Sequence, residues 1–164
     1  MKSKHIAESG ILIALTLVVL YATSLLPIST LSVLTISSCL IPICIIRTNI
    51  KNAFLVYASS SILSLMIVPI NISIAYIFFF GIYGIIKYYI EKIHKLPYEI
   101  LLKLLIFNIL LLIIYFIISR FIGNFVLPYS LYIIFILAQI IFLFYDYALT
   151  LIITIYFNKI HKLL

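Results

Sequence analysis

Residues Ile100–Ser119 read ILLKLLIFNILLLIIYFIIS. These twenty residues carry one charge, Lys103, and one side-chain amide, Asn108. A bilayer's hydrocarbon core is about 30 Å thick and takes about 20 mostly apolar residues to cross as a helix. The stretch has that length and that character. Five others of the same kind surround it, so the chain reads as six spanning helices. They run roughly over Ile6–Leu26, Leu31–Ile46, Asn52–Val68, Ile72–Ile90, Ile100–Ser119 and Tyr129–Phe157. The second is short. The last is long and is expected to tilt. The segments "PIST", "RTNIKN", "VPINIS" and "GNFVLPYS" supply tight connections with turn chemistry.

The composition agrees. Of the 164 residues, 66% are hydrophobic and 9% charged, and the mean hydropathy is +1.37. Soluble domains average roughly 45–50% apolar and about 25% charged. A water-facing surface could not be covered with so few charges, and lipid is the solvent that fits. The expectation is an all-α polytopic membrane protein. It would be one compact transmembrane domain over residues 1–164, without room for a soluble catalytic domain. Met1 to Thr23 has some features of a signal peptide, but more spans follow, so a retained first helix is expected.

The net charge of +7 does not point to nucleic acid, because the basic residues sit in short gaps between apolar runs. Lys2 and Lys4 precede the first helix, and Arg47 and Lys51 separate the second from the third. Lys87, Lys92, Lys95 and Lys103 cluster around the fourth-to-fifth connection, and Lys159 and Lys162 follow the sixth helix. Six helices place all of these on one side and leave Arg120 alone on the other. The positive-inside rule then puts both termini in the cytoplasm. The pentapeptide KIHKL, which occurs at Lys92–Leu96 and again at Lys159–Leu163, is read as a mark of two cytoplasmic helix exits. The copies sit on helices of the same orientation and do not make the inverted repeat of many secondary transporters.

Few residues carry chemistry. Asp146 lies twelve residues before Asn158, roughly 18 Å along a helix, which is near the membrane midplane. An ionised carboxylate there costs several kcal/mol unless paired or wet. With Gln139 and Thr150 it makes a polar stripe flanked by Tyr145 and Tyr147. It would either line a cavity and touch substrate, or hold the bundle together by a hydrogen bond to a Tyr or to Asn108. Gln139 leans to the structural role. Arg120 could attract an anionic ligand or snorkel to headgroups. Gly10 and Ala14, widened by Ala7 and Ser9, form a small-residue patch suited to close helix approach, within the bundle or to a partner. Glu8 is expected to pair with a local Lys or with Arg47.

The serines of "ASSSILS" suit tight packing, and no base stands near to make one a nucleophile. Tyr76, Phe80, Tyr83 and Gly84 recur at helical spacing as a packing stripe. Glu91 and His94 form an E-x-x-H pair without the second such motif that a carboxylate-bridged metal site needs. Glu99 and Lys103 read as an i, i+4 pair. Cys39 and Cys44 read as packing thiols. No metal, cofactor or enzymatic role is expected.

In its helix plan the chain resembles the substrate-binding S component of energy-coupling factor (ECF) transporters. "ESGILIALTLVVL" resembles that family's opening helix, with Gly10 and Ala14 at its small-residue positions. "LIPICIIRTNIKNAFLVY" resembles its second-to-third helix passage, and "IFFFGIYGIIKYYIEK" its fourth helix. Asn52-Ala53 stand where the family often has a glycine. The resemblance implies capture of a vitamin-like small molecule from outside, in a pocket of the outer halves of the later helices. The residues it implies for substrate are Asn71, Tyr76, Arg120, Asn124, Tyr129, Tyr132 and Gln139, with Asp146 deeper. It also implies docking through Gly10 and Ala14 on a coupling transmembrane subunit that binds two ATPases. The chain has no Walker motif, so it would hydrolyse nothing itself. Its place would be the bacterial cytoplasmic membrane. The alternative is a non-transporting scaffold similar to the rod-shape-determining proteins of cell-wall elongation, with a filled core instead of a pocket.

Overall fold

The computed structural model describes residues 2–25, 30–121 and 131–161, with side chains over 5–25, 30–117 and 134–159. They form six helices: α1 (Lys2–Leu25), α2 (Thr30–Arg47), α3 (Ile50–Ile67), α4 (Ile70–Glu91), α5 (Leu96–Phe121) and α6 (Leu131–His161). Each contains a segment long and apolar enough to cross a membrane, and no strand occurs among the described residues. The chain is a compact all-α bundle of the kind that multi-pass membrane proteins form.

Local chemistry sets the helix ends. Asn49, in extended conformation, caps α3 by accepting the Asn52 backbone N–H at 2.9 Å. α4 begins just after Pro69 and α5 carries Pro97 in its first turn, where a missing N–H costs nothing. Those prolines explain why both helices start earlier than hydropathy alone suggests. Between α4 and α5 the chain reverses within four residues. His94 takes φ 54°, a left-handed conformation that His tolerates better than most residues.

Cross-helix contacts give the topology. Tyr83 and Lys87 of α4 meet Asp146 and Thr150 of α6 in the same chain direction. Phe79 of α4 meets Phe107 of α5, and Glu91 meets Lys103, in opposite directions. α4 and α6 are therefore parallel and α5 antiparallel to both. The bundle has a terminal end, which carries the α2–α3 and α4–α5 connections, and a far end, which carries the α3–α4 connection. One core cluster centres on Leu20, Tyr76, Tyr83, Phe142 and Leu149, and a second on Leu12, Ile41, Cys44 and Val56. Cys39 and Cys44 are buried free thiols within these cores, as the packing reading requires.

Two irregularities shape α4. Residues Tyr76–Gly81 form a π-helical segment, which withdraws carbonyls from the regular ladder. One of them, Ile77 O, accepts the Tyr57 hydroxyl at 2.8 Å. One turn on, Gly84 lies against Pro42, which interrupts α2 from within. A Cβ at Gly84 would sit 2.8 Å from Pro42 Cδ and 3.2 Å from Ile41 Cβ. The missing side chain is what lets α2 and α4 touch.

The serines of α3 also pack helices. Ser60 shares a 2.8 Å hydrogen bond with the Tyr76 hydroxyl. Ser73, just beyond the α3–α4 junction, donates to Ser64 O at 2.8 Å.

Gly84→Ala is expected to cost about 1–3 kcal/mol through overpacking, read as a lowered thermal midpoint in detergent. Gly10→Ala, where a Cβ would meet nothing within 4 Å, is expected to leave that midpoint unchanged or slightly raised.

Candidate functional site

Two features stack along the bundle axis between α4, α5 and α6. The lower, toward the terminal end, is a ring of four charges. Lys87 Nζ bonds Glu91 Oε1 at 2.9 Å and also Asp146 Oδ1. Lys103 Nζ bonds Glu91 Oε1 at 2.9 Å and Asp146 Oδ2 at 3.0 Å. Signs alternate around the ring, and the formal charges cancel. Lys87 is 1% exposed and Asp146 16%. Tyr83 donates to Asp146 Oδ1 at 2.7 Å, and Lys87 donates to Thr150 Oγ1 at 2.7 Å.

Helical spacing builds this quartet. Tyr83, Lys87 and Glu91 follow one another at four-residue intervals and share a face of α4. Lys103 lies two turns into α5, about 10 Å from its start. Asp146 and Thr150 are one turn apart on α6.

This placement differs from the sequence reading. Lys87 and Lys103 were expected among the cytoplasmic edge charges, yet both are buried inside the bundle. Lys103 pairs with Glu91 and Asp146, where Glu99 was the expected partner. Burial explains the choice: an exposed i, i+4 pair contributes about 0.3–0.5 kcal/mol, whereas an unpaired ion between helices costs several. Arg47 stands over the Tyr156 ring, 5.9 Å from its centroid, and no ion pair joins it to Glu8 among the described residues. The signal in the sequence is a lysine inside each of two apolar spans, where lipid forces it to find a partner on another helix.

The upper feature is a cavity of about 270 Å3 in the far half of the bundle. Its wall is Leu31 and Thr35 from α2, Ala75, Phe79 and Phe80 from α4, Phe107 and Ile114 from α5, and Ala138, Ile141, Phe142 and Tyr145 from α6. Phe107 and Phe142 stack at 4.3 Å, and Phe79 stands edge-on to Phe107 at 5.7 Å. Beneath them Tyr83 stacks on Phe79 at 5.7 Å. An aromatic floor thus separates the cavity from the quartet, and the Tyr83 hydroxyl ties the two together.

The expected substrate residues are placed as follows. Asn71 is exposed on the first turn of α4. Tyr76 is buried with its hydroxyl on Ser60. Gln139 donates to Asn108 Oδ1 at 2.7 Å, joining α6 to α5. Asp146 belongs to the quartet. Arg120 and Tyr132 lie in helical segments with side chains outside the described set, and Asn124 and Tyr129 lie outside the described residues. Of the described four, none lines the cavity, because its described wall is apolar and all four are polar. Gly10 and Ala14 are exposed on the outward side of α1.

Comparison with protein-family models, with curated proteins and with solved structures yields no match.

Asp146→Asn is expected to cost about 3–5 kcal/mol, because it leaves two ammonium groups on one carboxylate. The pair Lys87→Met with Asp146→Leu should be less destabilised than the sum of its single changes. Thermal unfolding of the four proteins in one detergent measures the coupling.

Proposed function

We propose that this chain is a substrate-binding membrane subunit similar to the S component of ECF transporters. It sits in a bacterial cytoplasmic membrane with both termini inside, captures a small molecule from outside, and docks on a separate coupling subunit with two ATPases. The observation that carries this reading is the cavity between α2, α4, α5 and α6. It lies at the end away from Arg47, Lys51, Lys92 and Lys95, which the positive-inside rule turns outward. Its volume of about 270 Å3 is just below the roughly 300–1,000 Å3 of common ligand pockets.

The first helix supports the docking half of the proposal. Gly10 and Ala14 face away from the bundle, so their small size is not needed for internal packing. They leave a smooth strip on which another helix backbone could rest.

The scaffold alternative also has an observation in its favour. The quartet's charges bond one another and Gln139 bonds Asn108, as helix glue should. The two readings differ in what accompanies the protein.

Affinity purification of the tagged chain from native membranes in mild detergent, followed by mass spectrometry, is expected to recover a coupling membrane subunit and its ATPases. Gly10→Leu should abolish that recovery while leaving the thermal midpoint within about 1 kcal/mol of the parent, since its side chain points out of the bundle. Recovery of cell-wall elongation proteins instead would establish the scaffold.

A further inference from the structure

The cavity's lining constrains what it can hold. Two of its described wall residues carry side-chain hydroxyls, and both are engaged elsewhere. Thr35 donates to Leu31 O at 2.8 Å, and Tyr145 donates to Ser38 Oγ at 3.0 Å. Among the described residues the rest of the wall is aliphatic or aromatic. Against these described residues a ligand charge would lose its hydration without gaining a donor or a counter-ion, at a cost of several kcal/mol. The quartet below does not offset that cost, because its four charges cancel and the aromatic floor lies between. The stacked rings of Phe107 and Phe142, with Phe79 edge-on, suit a flat ring as occupant.

The same lining also indicates a route. Leu31 is 57% exposed and Ile141 51% exposed, although both line the cavity. Ile141 lies within the span Ile134–Lys159, seven residues from its start. At that depth an exposed side chain faces hydrocarbon. The cavity therefore has a lip on the lipid-facing side of the bundle, between α2 and α6.

We propose that the cavity binds an uncharged, lipophilic, ring-bearing molecule, and that this molecule enters sideways from the bilayer past Leu31 and Ile141. The inference rests on the cavity being a ligand site, as proposed above. It adds the ligand's chemical class and its path. The route makes sense of a dry wall, because a molecule already dissolved in lipid leaves no hydration shell behind.

The test uses one ring system with and without charge. N-phenyl-1-naphthylamine and its sulfonate, 1-anilinonaphthalene-8-sulfonate, are titrated by fluorescence into the full chain in phosphatidylcholine nanodiscs, with empty nanodiscs subtracted. A saturable component is expected for the uncharged probe, and a component at least tenfold weaker for the sulfonate. Ala138→Phe should remove the saturable component, and Ile114→Phe serves as the second filling variant should the first fail to fold. Ile141→Lys should slow association at least fivefold and change the equilibrium affinity less than twofold.

Equal binding of the two probes, or a saturable component that survives both filling variants, overturns the ligand class. An association rate unaffected by Ile141→Lys overturns the lateral route. Saturable uncharged binding without a co-purifying coupling subunit would retain this inference and remove the importer reading. Co-purification without probe binding would do the reverse.

Discussion

A ring of four charges, three of them largely buried and the fourth, Glu91, partly exposed at the end of α4, binds α4, α5 and α6 into one body. Lys87, Glu91, Lys103 and Asp146 each touch two neighbours of opposite sign. No member can leave without stranding the others. In water such a ring would contribute little, because each ion has a good alternative in solvent. For Lys87, Lys103 and Asp146, buried between the helices, that alternative is missing, and the penalty for opening the ring is what makes it specific. Three helices whose surfaces are otherwise interchangeable aliphatic side chains thereby acquire one rotation and one depth relative to one another.

The rest of the architecture is adjusted to that ring. Gly84 lies one turn before Lys87 and lets α2 come within contact of α4. The π-helical segment Tyr76–Gly81 precedes it and turns Phe79, Phe80 and Tyr83 toward α5 and α6. Such segments occur often at functional positions, and here the segment forms both the wall of the cavity and the floor beneath it. Tyr83 belongs to both storeys, with its ring in the aromatic stack and its hydroxyl on Asp146. Anything that shifts the floor must act on the quartet.

An apolar cavity above a neutral ionic ring divides the bundle by chemistry. The upper storey presents ring faces and aliphatic side chains, and the lower storey holds the helices. That division explains why the polar residues within the spans do not mark the cavity. Gln139 and Asn108 engage each other, Tyr76 engages Ser60, and Asp146 engages the lysines. A membrane interior leaves few polar groups idle, so those that remain mostly report helix contacts.

The sequence by itself determined the number of helices, their approximate spans and the turns at 47–52 and 68–73, whereas the expected turns at 27–30 and 123–130 fall largely outside the described residues. Twenty apolar residues allow little else in lipid, and Asn49, Pro69 and Pro97 act locally on helix ends. It also carried the burial of both cysteines. Tertiary structure alone decided the pairing. Lys87 and Lys103 read as edge charges until α4, α5 and α6 come together around Asp146, because a pentapeptide or a charge count holds no distance between helices. The two KIHKL copies make the same point. The first breaks helix α4 and turns through a left-handed His94, whereas in the second the helix runs on through His161. Identical residues adopt different backbones because Pro97 and a second helix follow the first copy at once. The cavity, too, exists only where four apolar helix faces fail to close, a shape that no single face records.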